Sequence, residues 1–148
     1  MARDAITRQT RIAAPQKRVW DVVTRAEHVG RWFGDAGAEL DLRPGGALRL
    51  SWTGHGTFLG RVEEVSPVDL FSFRWARPQD TEPAQGNSTL VQFRLFPDGD
   101  GTLLVVTESG FDSLDVSPED RDRYRAGNEE GWAAELADLV AYIAATGG

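Results

Sequence analysis

Residues 5–13 (AITRQTRIA) alternate between apolar and polar positions and predict a first strand. Ala14-Pro15 breaks the alternation. Val19, Trp20, Val22 and Val23 then recur at helical spacing, so a helix is expected from Pro15 to about Thr24. A second, short helix is expected from about Ala26 to Phe33, ended by Gly34. From Ala38 the period falls to two, which predicts strands at 38–42, 47–53, 56–66, 70–77, 88–97 and 101–109. Arg43-Pro44-Gly45-Gly46, Pro67-Val68-Asp69 and Pro97-Asp98-Gly99-Asp100-Gly101 are turn sequences between them. Ser117-Pro118-Glu119-Asp120 reads as a helix start: a capping serine, proline at the first helical position, then acids over the positive end of the dipole. Tyr124, Asn128, Trp132, Leu136, Leu139, Val140 and Ile143 fall on one face of the long helix that follows, which is expected to run to Gly147.

This order, strand, two helices, six strands, one long helix, predicts an α+β fold. The sheet is antiparallel, because the strand connections are too short for helical crossovers. In such a meander alternate connections share an end. The three tight turns then lie together, and the other end collects 53–56, the polar stretch 78–87 and 110–117, where a binding mouth is expected. Strand phase also predicts an inner face. Leu48, Leu50 and Trp52 share one side of a strand, as do Phe71, Phe73 and Trp75, then Val91, Phe93 and Leu95. Leu104 and Val106 continue the set, and their phase carries Glu108 onto the same apolar side near the mouth.

Glu108 is the foremost candidate for chemistry. A carboxyl there qualifies as a general acid or base, or as a partner for a ligand hydroxyl or amine. The structural alternatives are an ion pair with an arginine such as Arg74, or a solvated strand end. His55, between Gly54 and Gly56 in a mouth loop, is the second catalytic candidate, against an ordinary exposed loop histidine; His28 is expected on the surface of the second helix. Trp32, Trp52, Trp75 and Trp132 are either core or the aromatic wall of a site for a flat, apolar ligand. Asn128, one turn before Trp132, needs a partner for its amide, either a backbone carbonyl or a ligand group. Gly127 and Gly131 inside the helix point to close packing on the sheet, to room for a ligand, or to a bend.

Composition narrows the functional classes. At 148 residues and 16.3 kDa, residues 1–148 are expected to form one domain. A net charge of -7 disfavours nucleic acid or an anionic membrane as partner. No apolar run approaches the ~20 residues of a membrane span, and no signal-peptide pattern opens the chain, so the cytoplasm is the expected location. Cysteine is absent and the two histidines are far apart, so neither a metal nor a cofactor is expected. Gly54–Gly60 misses a dinucleotide fingerprint because a strand follows it, and Asp98-Gly99-Asp100-Gly101 is a hairpin rather than a calcium loop.

Several segments carry a family resemblance. The Ala-Ala-Pro helix start, Trp32-Phe33 and Asp41-Leu42-Arg43-Pro44-Gly45-Gly46 resemble the START-like, or SRPBCC, superfamily. Gly60-Arg61-Val62-Glu63-Glu64-Val65, Phe73-Arg74-Trp75, Glu108-Ser109-Gly110-Phe111 and Asn128-Glu129-Glu130-Gly131-Trp132 are similar to one bacterial subgroup. That subgroup resembles the C-terminal domain of the activator of heat-shock protein ninety ATPase. The resemblance implies a helix-grip fold, a curved seven-stranded sheet wrapped around the C-terminal helix over a deep cavity. It leaves four functions open. The first is binding of a small hydrophobic, aromatic or polyketide-like molecule for carriage, sequestration or resistance. The others are a polyketide cyclase or dehydratase, a co-chaperone-like interaction module, and self-sacrifice against a reactive natural product through a glycine no motif identifies. A homodimer also stays open. The expected ligand-binding set is Trp32, Trp52, Phe71, Phe73, Trp75, Val91, Phe93, Val106, Glu108, Asn128 and Trp132.

Overall fold

In the computed structural model, which describes residues 4–146, the elements are β1 (Ala5–Ile12), α1 (Gln16–Thr24), α2 (Ala26–Trp32), β2 (Ala38–Leu40) and β3 (Ala47–Trp52). They continue as β4 (Gly56–Ser66), β5 (Leu70–Ala76), β6 (Ser88–Asp98), β7 (Gly101–Ser109), a 3-10 turn at Phe111–Ser113, and α3 (Pro118–Thr146). Every element expected from periodicity is present. Gly147, the expected end of the long helix, lies outside the described residues. β2 is shorter than the alternation implied, since from Asp41 onward the backbone bends into the turn that Gly46 closes by bonding to Arg43 O.

The strands form one curved antiparallel sheet in the order β1-β7-β6-β5-β4-β3-β2. β2 to β7 are a meander of neighbours, and β1 joins at the far side by pairing along β7, with Ile6 opposite Glu108. The tight turns therefore collect at one end of the sheet and the 53–55, 77–87 and 110–117 connections at the other. A bulge at Glu63 resets the phase of β4: Val62 is inward opposite Phe73 before it, and Val65 is inward opposite Phe71 after it. Without that extra residue the second half of β4 would turn its apolar side to solvent.

α3 starts where its capping sequence predicts. The Asp120 backbone N–H donates to Ser117 Oγ at 3.1 Å, a cap worth about 1 kcal/mol. The helix lies in the concavity of the sheet and buries Trp132, Leu136, Leu139 and Ile143 there. α1 and α2 close the remaining side with Val19, Val22, Val23, Val29 and Trp32. Close packing is not the reason for Gly127 and Gly131. A Cβ at either position would meet nothing within 4 Å, so both glycines face open space.

Candidate ligand-binding site

The inward phase read from the strands is correct, but the space it encloses is filled. Phe71, Phe73, Val91, Phe93 and Val106 are all at most 2% exposed. The void between Phe33, Phe71, Phe73, Phe93 and the neighbouring aliphatic side chains measures about 10 Å³, about the room of one water molecule. The deep cavity implied by the resemblance is therefore replaced here by a packed aromatic core. Trp32 belongs to that core: its Nε1–H donates to Val22 O at 2.9 Å and its ring stacks on Phe33 at 5.0 Å. Phe33 is the hub, with ring centroids 5.2 Å from Trp52, 5.3 Å from Trp132 and 5.7 Å from Trp75.

At the mouth end of this core sits Glu108, fully buried. Its Oε1 accepts from Trp132 Nε1 at 2.9 Å and Asn128 Nδ2 at 3.0 Å. Its Oε2 accepts from Trp75 Nε1 at 2.9 Å, from the same Asn128 nitrogen at 3.1 Å, and from the Thr89 hydroxyl. The donors come from β5, β6 and α3, so one carboxylate on β7 ties three strands to the helix. Among the described residues no arginine takes part; Arg74, the candidate from the sequence, points its Nη1 toward Ser88 Oγ at 3.5 Å instead. The partner of the Asn128 amide is this carboxylate rather than a backbone carbonyl. A carboxylate offers about four lone-pair sites, and five bonds from four side chains occupy them, leaving nothing for a ligand hydroxyl or amine.

Next to Glu108 the surface opens. Trp52, Phe58, Trp75, Ala76, Arg77, Tyr124 and Asn128 line a pocket of about 260 Å³. A neighbouring hollow of about 390 Å³, which includes Val116, Asp120, Arg123 and Gly127, shares Arg77, Tyr124 and Asn128 with it. The ends of β3, β4 and β5 supply the aromatic floor, and α3 supplies the opposite wall. Tyr124 is pushed up to about 12, first by burial and then by the charge of Glu108, with Asn128 and Arg77 acting the other way. It therefore stays a neutral hydroxyl at any ordinary pH. Trp52 is held by Glu135, whose Oε2 accepts from its Nε1 at 3.1 Å. Burial pushes Glu135 up to about 7; Trp52 opposes the shift, and Asp138 and Asp35 add to it.

Of the residues expected from sequence, the fold brings Trp52, Trp75 and Asn128 to the pocket, with Glu108 and Trp132 directly behind it. Trp32, Phe71, Phe73, Val91, Phe93 and Val106 go to the core. His55 is exposed in the 53–55 turn, lines neither hollow, and its ring makes no hydrogen bond among the described residues. It does not join Glu108. His28 is half-buried rather than on the surface, its Nδ1 2.6 Å from the Tyr142 hydroxyl. Phe58, Arg77, Thr89 and Glu135 were not anticipated, and Tyr124 was read only as sharing the helix face of Asn128 and Trp132. Thr89 had one usable signal, its cross-strand position opposite Trp75.

With this geometry in place, comparison with known proteins decides the family. The family model described as Activator of Hsp90 ATPase homolog 1-like protein matches residues 13–144. The chain belongs to this family. No curated protein matches it in sequence. Among solved structures it is similar to MLL2253 from Mesorhizobium loti, at 22% identity and a TM-score of 0.80 over 96% of this chain and 98% of that one. It is also similar to DynU16, from the dynemicin biosynthetic locus, at 24% identity and a TM-score of 0.76 over 96% of this chain and 48% of that one. The Aha1 dimer from Colwellia psychrerythraea matches at 17% identity and a TM-score of 0.76 over the full length of both. These likenesses establish the helix-grip fold. No helix of the described residues is long and apolar enough to cross a membrane.

Proposed function

We propose that this family member binds a small, flat, hydrophobic molecule at the mouth of the grip, between the ends of β3–β5 and helix α3, rather than inside the sheet. The observation that carries this is the contrast in space: about 10 Å³ within the core against about 260 Å³ at the aromatic-lined mouth, with a further 390 Å³ adjoining it. At about 260 Å³ the mouth itself is slightly smaller than drug-sized pockets, about 300–1,000 Å³, and with the adjoining hollow it suits a ligand of one to three rings. Trp52, Phe58 and Trp75 give it apolar area and ring faces to stack on.

The groove of about 360 Å³ at the opposite end, between Ile12, Pro15, Arg18 and Ile143, has no aromatic wall. An interaction module would show a broad exposed apolar patch; the exposed large apolar side chains among the described residues are Leu42 and Phe96. A cyclase working through Glu108 would first have to break the hydrogen bonds that saturate it. Tryptophan-fluorescence titration with 2-naphthamide, a neutral planar probe, tests the binding reading. Saturable quenching at micromolar concentration is expected, with Phe58→Ala weakening it about tenfold through lost apolar contact. Quenching unchanged in Phe58→Ala refutes a ligand at the mouth, as does its absence both with this probe and with its carboxylate counterpart, 2-naphthoate.

A further inference from the structure

The mouth carries an uneven charge pattern. Arg77 is exposed and has no carboxylate partner among the described residues, although the chain carries 23 acids against 16 bases. Its guanidinium lies 5.9 Å from the centroid of the Tyr124 ring, on the rim shared by the two hollows. The other rim cation, Arg123, is already paired with Asp120 at 2.7 Å. The remaining pocket wall consists of aromatic rings, Ala76 and the neutral Asn128.

We propose that the ligand of the mouth is a planar aromatic anion, its ring against Trp52, Phe58 and Trp75 and its negative group on the Arg77 guanidinium. This rests on the mouth being the binding site. Three features support it. A net charge of -7 repels anions from most of the surface, and an unpaired arginine is the local exception. Glu108 beneath the floor offers a cation nothing, because both its oxygens are saturated, while its charge drives a negative group outward to the rim. Ring inward and anion outward is then the favoured orientation. Tyr124, whose side chain lines both hollows, keeps its hydroxyl proton available to donate, and a planar carboxylate suits a guanidinium fork.

The test is tryptophan-fluorescence titration of the wild-type chain, Arg77→Gln and Arg77→Lys with 2-naphthoate and with 2-naphthamide, which differ in charge and hardly in shape. The wild type is expected to bind naphthoate about tenfold tighter than naphthamide, as one charge-assisted contact implies. Arg77→Gln should erase the preference by weakening naphthoate alone, and Arg77→Lys should retain part of it. Because Arg77 is exposed, its replacement leaves folding intact, which far-ultraviolet circular dichroism checks. Equal affinities in the wild type, or equal weakening of both probes by Arg77→Gln, would overturn the anion while leaving the mouth site standing. Failure of both probes to bind the wild type removes the mouth site and this inference with it.

Discussion

Glu108 shows at the scale of one residue why a buried charge is retained. Its side chain lies out of water, and an uncompensated carboxylate there would cost several kcal/mol. The indole N–H groups of Trp75 and Trp132 donate only, so their burial needs an acceptor as much as Glu108 needs donors. Glu108→Gln is therefore not a conservative change. Whichever way the amide turns, its NH₂ faces at least two donors, and we expect a loss of about 2–4 kcal/mol in chemical denaturation. Stability within about 0.5 kcal/mol of the wild type would mean that the network does not hold the fold together. The same geometry sets how turnover experiments on this variant must be read, since lost activity would report lost structure.

At the scale of elements, α3 is secured at its start and along its length. Ser117→Ala removes the acceptor for the Asp120 N–H, and a loss of about 1 kcal/mol is expected from urea unfolding. Further along, Trp52 and Glu135 join β3 to α3, and this tie depends on pH. The folded chain holds the Glu135 proton up to about 7, whereas the unfolded chain releases it near the ordinary value of 4.5. Between those values the folded state binds more protons, so this contribution to stability is full below about 4.5 and is lost as pH rises through about 7. Glu135→Gln keeps an acceptor for Trp52 without the charge. Thermal melts should show it more stable than the wild type at pH 8 and flatter in its dependence between pH 5 and 8. A wild-type-like pH profile would show that Glu135 is not desolvated.

Periodicity made these elements legible because it is local. Val91, Phe93, Val106 and Glu108 lie on the inner face their alternation predicts, and Ser117-Pro118 marks the helix start to the residue. The bulge at Glu63 escaped the same reading. Both halves of β4 alternate, and only pairing with β5 shows that one residue is extra. Gly127 and Gly131 were equally ambiguous, because a glycine in a helix looks the same whether it touches a sheet or faces open space.

For the whole molecule, the sequence by itself determined the order of elements, the inward faces, the gathering of irregular loops at one end, and membership of a family whose relatives share the fold. Each of these follows from signals spanning a few residues or from motifs in a fixed order. Only the tertiary structure decided whether the inward aromatics enclose a cavity or fill it, because that depends on the separation between α3 and the sheet and on the summed side-chain volume between them. The tertiary structure likewise decided that Glu108 is met by Trp75, Thr89, Asn128 and Trp132 rather than by an arginine. It also brought Arg77 from the end of β5 over Tyr124 on α3. Hydrogen-bond partners and charge pairs between distant segments are set by distances of a few ångströms, and no periodicity along the chain encodes them.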